Sequence, residues 1–408
     1  LMRGEFNVKA LGASGIAGGA DAAPYWREAM MANSGWRRGE VFVPNGTYEM
    51  YTAPLEEAGV KQDYIRVRGE SRQGVIVNHR ASGKVLLSCR GYVQPDADAQ
   101  LLTLAAPINS RRIVVASPGA NQLAVDRWIV VSDPGNMYVT GDGVAVARQG
   151  EMAQVQASEA GSQVMLRNKL EFGYTVGTSQ VQLVSHCTTF HFRNMTFVQP
   201  VFSSDQTVGG NGNNAHVING ITVDDFVVDN VEFIGFQARC LKVDTNSVNI
   251  TWTNIRGRNE WDNTINPTYF MDLGYGSYNI RISDVFVDKT RHIVDSGSLT
   301  TNIRTHHVWL TRVIHTNSEA SGFDTHAGGA RRMVLTDCHA FAGVSALTVA
   351  GYVGYHGFQM RSEDMRLIGC SATGYQAGVF AQGGSDIHVL DFDAYNCEQG
   401  MYFLNSPR

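Results

Sequence analysis

From residue 187 onward one pattern of apolar and polar positions recurs. The segments FHFRNMTF (190–197), FVVDNVEF (226–233), VNITWTNI (248–255), IRISDVFV (280–287), VWLTRVIH (308–315), MVLTDCHA (333–340) and MRLIGCSA (365–372) each alternate apolar and polar residues, with a turn residue in the middle. Such alternation, rich in Val, Ile, Thr and Phe, predicts short strands with one buried face. Taking Asn194, Asn230, Asn254, Asp284, Arg312, Asp337 and Gly369 as equivalent positions, the repeat intervals are about 36, 24, 30, 28, 25 and 32 residues. A recurring unit of that length predicts a solenoid whose coils pack on their neighbours. No amphipathic helices separate the strands, which excludes a doubly wound α/β fold. The expectation is an all-β protein, a right-handed single-stranded parallel β-helix.

Two regions break the repeat. Near the start, Phe6 to Ala10 alternates, Gly12 to Gly19 interrupts, and Ala20 to Ala32 is rich in helix formers, with Asp21 placed to cap them. Glu40 to Tyr48 then reads as a strand ending in a turn. Between residues 96 and 186, alternating runs are separated by turns such as Pro118-Gly119 and Gly141-Asp142-Gly143, without the coil spacing. These runs predict an inserted β lobe on the side of the solenoid. The expected organisation is a strand and capping helix (1–38), first coils (39–95), the lobe (96–186) and a main β-helix (187–408).

FNVKALGA, a helix, then VFVPNGTY resembles the opening of the pectate-lyase-like β-helix superfamily, to which phage tailspikes and many polysaccharide lyases belong. The stretch GEMAQVQASEAGSQVMLRNKLEFGY resembles a β insertion common in phage members. The resemblance implies a helix capping the open end of the solenoid and a groove that suits a linear polymer.

Composition narrows the function. Hydrophobic residues are 43% of the 408 and charged residues 17%, enough apolar material for a long core. The net charge of -5 argues against general nucleic-acid binding, which needs a broad cationic surface. No apolar run is long enough for a transmembrane helix, so no membrane partner is expected. The opening LMRGEFNVKALGAS lacks the apolar core of a signal peptide, and Asn396 to Arg408 shows no evident cap, as in a fragment of a longer chain. Six cysteines without a CxxC pair give no zinc motif. They are expected as unpaired small hydrophobes, with Cys338 and Cys370 stacked in the interior.

Candidate chemistry follows from a second alignment of the repeat. Gly322-Phe323-Asp324-Thr325-His326 matches Gly357-Phe358-Gln359-Met360-Arg361 and Gly378-Val379-Phe380-Ala381-Gln382. If the residue after each glycine faces the core, Asp324 and His326 point outward together, with Gln359 and Arg361 one coil later. Arg291, His292 and Asp295 lie on the preceding coil, and Lys242, Asp244 and Asp272 extend the series backward. Clustered titratable groups of this kind mark sites. Residues 239–332 hold eleven Lys and Arg against nine Asp and Glu, about +2 on an acidic chain, which favours an anionic ligand. Trp252, Trp261, Tyr269 and Trp309 are candidate platforms for sugar rings, and His306, His307 and His315 are expected at the surface. No metal site and no cofactor are expected.

The same residues sharpen the resemblance. TRHIVDSG, ASGFDTHAGG and HGFQMRSED resemble a pattern of phage and bacterial β-helix proteins, and the match falls on Arg291, His292, Asp324, His326, Gln359 and Arg361. The leading expectation is a depolymerase of an acidic bacterial surface polysaccharide. In β-elimination, His326 or His292 would act as base, Asp324 would orient a histidine, and Arg361 or Arg291 would neutralise a uronate. In hydrolysis, Asp324 would pair with Asp295, Asp272 or Glu319. Arg291, Gln359, Asp295, Lys242 and Asp272 would bind substrate. Cleavage of a phosphodiester in a teichoic-acid-like polymer, and a non-catalytic virion receptor-binding β-helix, are the alternatives. The resemblance also implies a homotrimer on a virion tail, or a secreted protein.

Overall fold

The computed structural model describes residues 5–34, 39–55, 62–81, 85–116, 123–139, 145–159, 162–199, 216–236, 239–259, 269–297, 302–326, 329–343 and 355–404. Two parallel sheets dominate them. A sixteen-stranded sheet runs from Glu5–Asn7 to Ile387–Leu390, and a nine-stranded sheet from Leu87–Arg90 to Gln399–Leu404. The chain visits the two in turn, so successive coils stack as a right-handed parallel β-helix.

The turn residues in the repeat bend each coil. Asn194, Asn230, Asn254, Asp284, Arg312, Asp337 and Gly369 all have positive φ, between 51° and 62°. Asn, Asp and Gly tolerate this left-handed conformation best. Arg312 does not belong to that group, and its guanidinium grips Asp284 of the previous coil at 2.6 and 2.9 Å. The bend lets one long strand, such as Cys187–Val198, line two walls of the core.

Within the coil, apolar residues stack on their equivalents. Phe190 lies 5.1 Å from Phe226, which lies 5.5 Å from Trp252, and Phe323 stacks on Phe358 at 4.6 Å with the rings 7° apart. Burying each such ring stabilises the fold by roughly 1.5–3 kcal/mol. Helix Ala23–Ser34 closes the first coil with Trp26, Ala29 and Met30 buried. Its start is capped by Asp21 Oδ1, which accepts the Ala23 N–H at 3.1 Å.

Strands from Tyr92–Val93 to Gln180–Ser185 form a separate antiparallel sheet of seven strands. It has its own core, including Ile129, Val131, Val155, Val164 and Tyr174. Trp128, Val130, Met152 and Val184 of this insert pack against Val248 and Ile303 of the solenoid.

The cysteines depart from expectation in one respect. Cys240, Cys338 and Cys370 are free and buried, and Cys397 is free and half-buried. Cys89 and Cys187, however, form a disulfide. The insert leaves the solenoid just after Cys89 and returns just before Cys187, which brings the two together across 98 positions of sequence. No helix among the described residues is long and apolar enough to cross a membrane.

Candidate functional site

The nine-stranded sheet carries one outward ladder of polar residues. In register across successive strands stand Ser88, Asn219, Lys242, Asp272, Asp295, Asp324 and Gln359, followed by Phe380 and Tyr402. Three carboxylates therefore occupy three consecutive coils, about 4.8 Å apart at the backbone. Phe323, Phe358 and Val379 face the core.

The three are not solvated, as an outward Asp324 was expected to be. The Asp324, Asp295 and Asp272 side chains are only 4%, 7% and 8% exposed. Basic groups lie over them. Arg361 Nη2 reaches both oxygens of Asp324 at 2.6 and 2.7 Å. His326, 39% exposed, places Nε2 at 2.9 Å from Asp295 Oδ1 and 3.6 Å from Asp324 Oδ2. Its Nδ1 lies 3.3 Å from Arg361 Nη2. Arg239 Nε meets Asp272 at 2.7 Å, and Lys242 Nζ meets Asp244 at 2.9 Å. Gln359 Oε1 accepts from Ser321 Oγ at 2.9 Å.

Environment separates the carboxyls. Burial, reinforced by Asp295 and Asp244, pushes Asp272 up to about 6 against the opposing pull of Arg239 and Lys242. Burial also raises Asp324, but His292, Arg361 and His326 outweigh it and hold Asp324 below the usual carboxylate range. Burial drives His292 down to about 4. The standing positive charge beside Asp324 is therefore that of Arg361, because burial keeps His292 from adding to it. Burial disfavours charge on His326 as well, yet Asp295 and Asp324 raise it above the ordinary histidine range.

A second ladder runs beside the first and was largely missed in the sequence. Arg239, Tyr269 and His292 are in register on consecutive strands. Tyr269 stacks on His292 at 5.3 Å, with the Arg239 and Arg291 guanidiniums 5.1 and 5.7 Å from its ring. His292 Nδ1 lies 2.5 Å from the Ser321 carbonyl. His356 stacks on Phe380 at 4.1 Å, and burial lowers it to about 4. Strict alternation hides this ladder because two core residues sit side by side in each strand, such as Phe270 with Met271 and Ile293 with Val294. The two outward positions then fall three residues apart.

Other expectations change. His306 and His315 are buried rather than at the surface, because each fills a coil corner with a polar partner. His306 Nδ1 meets the Arg304 carbonyl at 3.1 Å, and His315 Nε2 meets Thr290 Oγ1 at 2.8 Å. Trp252 is a core residue, and Trp309 lies on the sixteen-stranded sheet, away from the carboxylates. Only Tyr269 of the four proposed platforms adjoins them, and Trp261 lies outside the described residues. No group of three or more His, Cys, Asp or Glu suited to a metal ion occurs among the described residues.

The right-handed parallel β-helix with an inserted lobe defines the structural class. Solved structures of that class are similar to this chain. The tailspike gp61 of Pseudomonas phage phi297 superposes with a TM-score of 0.71 and 16% identity, over 97% of this chain and 65% of its own. The gp54 tailspike of Acinetobacter baumannii bacteriophage AP22, solved in complex with A. baumannii capsular saccharide, gives 0.69 and 16%, over 96% and 58%. The tailspike gp49 of Pseudomonas phage LKA1 gives 0.66 and 15%, over 96% and 64%. The chain thus spans about three-fifths of each tailspike's length. At these identities the likeness is one of fold. No family model matches the sequence, and no curated protein is similar to it.

Proposed function

We propose that the protein is a depolymerase of an acidic bacterial surface polysaccharide, working from the outer face of the nine-stranded sheet as part of a virion tail. The observation that carries this reading is the carboxylate row Asp272–Asp295–Asp324, whose two outer members are pushed in opposite directions. Titratable neighbours driven apart are how a site assigns an acid and a base. The tailspike fold, and the saccharide bound to one tailspike of that fold, support the polymer.

Hydrolysis fits the row better than elimination. Asp272, protonated near pH 6, donates its proton to the glycosidic oxygen. A second carboxyl group stands one strand away in Asp295 or two strands away in Asp324, spanning the separations used by retaining and inverting glycosidases. Elimination by His326 would need a free ring nitrogen, yet Nε2 faces Asp295 and Nδ1 faces Arg361. Arg361 Nη2 is likewise engaged with Asp324 rather than open to a uronate. His326 and Arg361 act in this reading as positioning residues that hold Asp295 and Asp324 in place. Lys242, Arg291 and Gln359 contribute substrate contacts. A homotrimer, as the resemblance implies, sets such grooves side by side.

The test is incubation with a panel of capsular polysaccharides, followed by end-group analysis. Saturated reducing ends are expected, and the anomer first released reports which partner acts. Unsaturated, ultraviolet-absorbing ends would replace hydrolysis with elimination. A polymer bound tightly but never shortened would make the protein a receptor-binding β-helix.

A further inference from the structure

The insert does more than decorate the solenoid. Its strand Ala145–Glu159 joins the coils through a parallel bridge, Arg148 with Ile303, and through the Arg148 N–H donating to the Asn302 carbonyl at 3.0 Å. Beside that seam lies a cavity of about 200 Å³. Tyr138, Arg148 and Phe172 line it from the insert, and Arg304 and Glu363 from the solenoid. Glu363 follows Arg361 by two residues, at the corner where the carboxylate-bearing sheet hands over to strand Met365–Ile368. The cavity thus adjoins, along the chain, the end of the carboxylate row.

Its chemistry is specific. The Arg304 side chain is 5% exposed, lies over the Tyr138 ring at 3.7 Å and pairs with Glu363. Glu363 is shared with Arg331, whose Nε is 3.3 Å away and whose Nη1 meets Glu171 Oε2 at 3.1 Å. Arg304 Nη1 is buried with no hydrogen-bond partner. A buried donor of this kind calls for an acceptor, and a guanidinium suits a carboxylate best. Tyr138 and Phe172 add aromatic rings, each with one face under a guanidinium, Arg304 at 3.7 Å and Arg331 at 4.6 Å, which leaves the opposite faces to pack against sugar rings. Arg148 also lines a second cavity of about 120 Å³, together with Asp96, Ser132, Gln182 and Asn246, a polar lining suited to hydroxyls. The volume falls below that of a drug-sized pocket, and suits a single sugar ring.

We propose that the cavity between insert and solenoid, built on Tyr138, Arg304 and Glu363, is a binding subsite for one carboxylate-bearing sugar unit of the polymer. This rests on the depolymerase reading for its polymer, but binding at the cavity is separable from cleavage. The insert is then a substrate-gripping element. It fixes the register of an acidic chain against the carboxylate row.

The test measures binding of D-glucuronate and of D-glucose, by saturation-transfer NMR and calorimetry on the full chain. Wild type and a row variant, Asp295→Asn, should bind glucuronate equally, and glucose far more weakly. Arg304→Met should weaken glucuronate by about tenfold or more, as loss of a charge-assisted contact does. Tyr138→Ala, at a half-exposed position of the insert, should weaken both sugars and guards against misfolding of the arginine variant. Glucuronate binding unchanged in either variant, absent from wild type, or no better than that of glucose would overturn the subsite. Loss of polymer cleavage in Asp295→Asn with glucuronate binding retained separates the two claims. A wild type that binds glucuronate but cleaves nothing would remove the depolymerase and leave the subsite.

Discussion

Both sheets of the solenoid stack polar residues coil upon coil, yet two of these stacks are built differently. On the sixteen-stranded sheet the row Asn194, Asn230, Asn254, Asp284, Arg312 and Asp337 turns the backbone through positive φ. Its members satisfy one another at the surface. Asn230 Nδ2 donates to Asn194 Oδ1 at 2.9 Å, and Arg312 Nε to Asp284 Oδ1 at 2.6 Å. On the nine-stranded sheet Asp272, Asp295 and Asp324 turn nothing and are buried, like charge against like charge. Stacked amides stabilise a solenoid. Stacked buried carboxylates destabilise it unless cations are brought to them, as Arg239, His326 and Arg361 are here. A row that costs stability and needs a dedicated cover is the mark of a site, and a row that supports a bend is the mark of a scaffold.

The contrast breaks most sharply at Arg361. Arg361→Met leaves the Asp324 charge buried without its counterion, and should cost about 3–5 kcal/mol in urea unfolding. Adding Asp324→Asn to that variant should restore much of the loss. A cost below ~1 kcal/mol would mean that Asp324 is solvated and the row is ordinary surface.

The pH dependence of stability comes next. His292, His307 and His356 are driven to about 4 and His315 to about 3, each chiefly by burial. A folded value below the unfolded ~6.5 means that the unfolded chain takes up protons first as pH falls. Their contribution is fully present above pH ~6.5 and is lost progressively toward pH ~4. Asp272 opposes this, because its folded value of about 6 lies above the unfolded ~3.9, so its burial costs more as pH rises from ~4 to ~6. Burial raises Glu151 to about 7, which acts in the same sense as Asp272, while His216 and His306 are lowered like the other four. Six histidines against two carboxyls should leave the melting temperature rising from pH 4 to pH 7, and His315→Gln should flatten the rise. A melting temperature that falls over that interval would contradict the burial of these rings.

The smallest effect is expected on the scaffold row. Asn230→Ala loses the amide contact to Asn194 and places alanine at φ 54°, at a cost of about 1 kcal/mol. Activity on polymer should not change.

The sequence made the coils legible because a period-two pattern survives coil after coil. The seven repeat equivalents share one backbone conformation, and the pairing of Asp324 with Gln359 follows directly from aligning their glycines. Alternation failed where two core residues stand side by side, which hid Arg239, hid the register of Tyr269 with His292, and set Asp295 apart from the row it joins. Burial of Asp324 was also hidden. Side-chain direction follows from parity, but solvent access depends on what Arg361 and His326 fold over it. The Cys89–Cys187 disulfide was missed because only the last cysteines follow the coil spacing, although the first two bracket the insert.

The most direct measurement is the rate at which Asp295→Asn degrades a capsular polysaccharide that the wild type shortens. Asp295 stands in the middle of the row, and its partner His326 is half-exposed, so the substitution leaves no charge stranded in the core. The melting temperature and polymer binding should hold. Turnover should fall by about a hundredfold or more, as loss of an acid–base or nucleophilic carboxylate does. Degradation at the wild-type rate by folded Asp295→Asn and Asp324→Asn proteins alike would contradict the account.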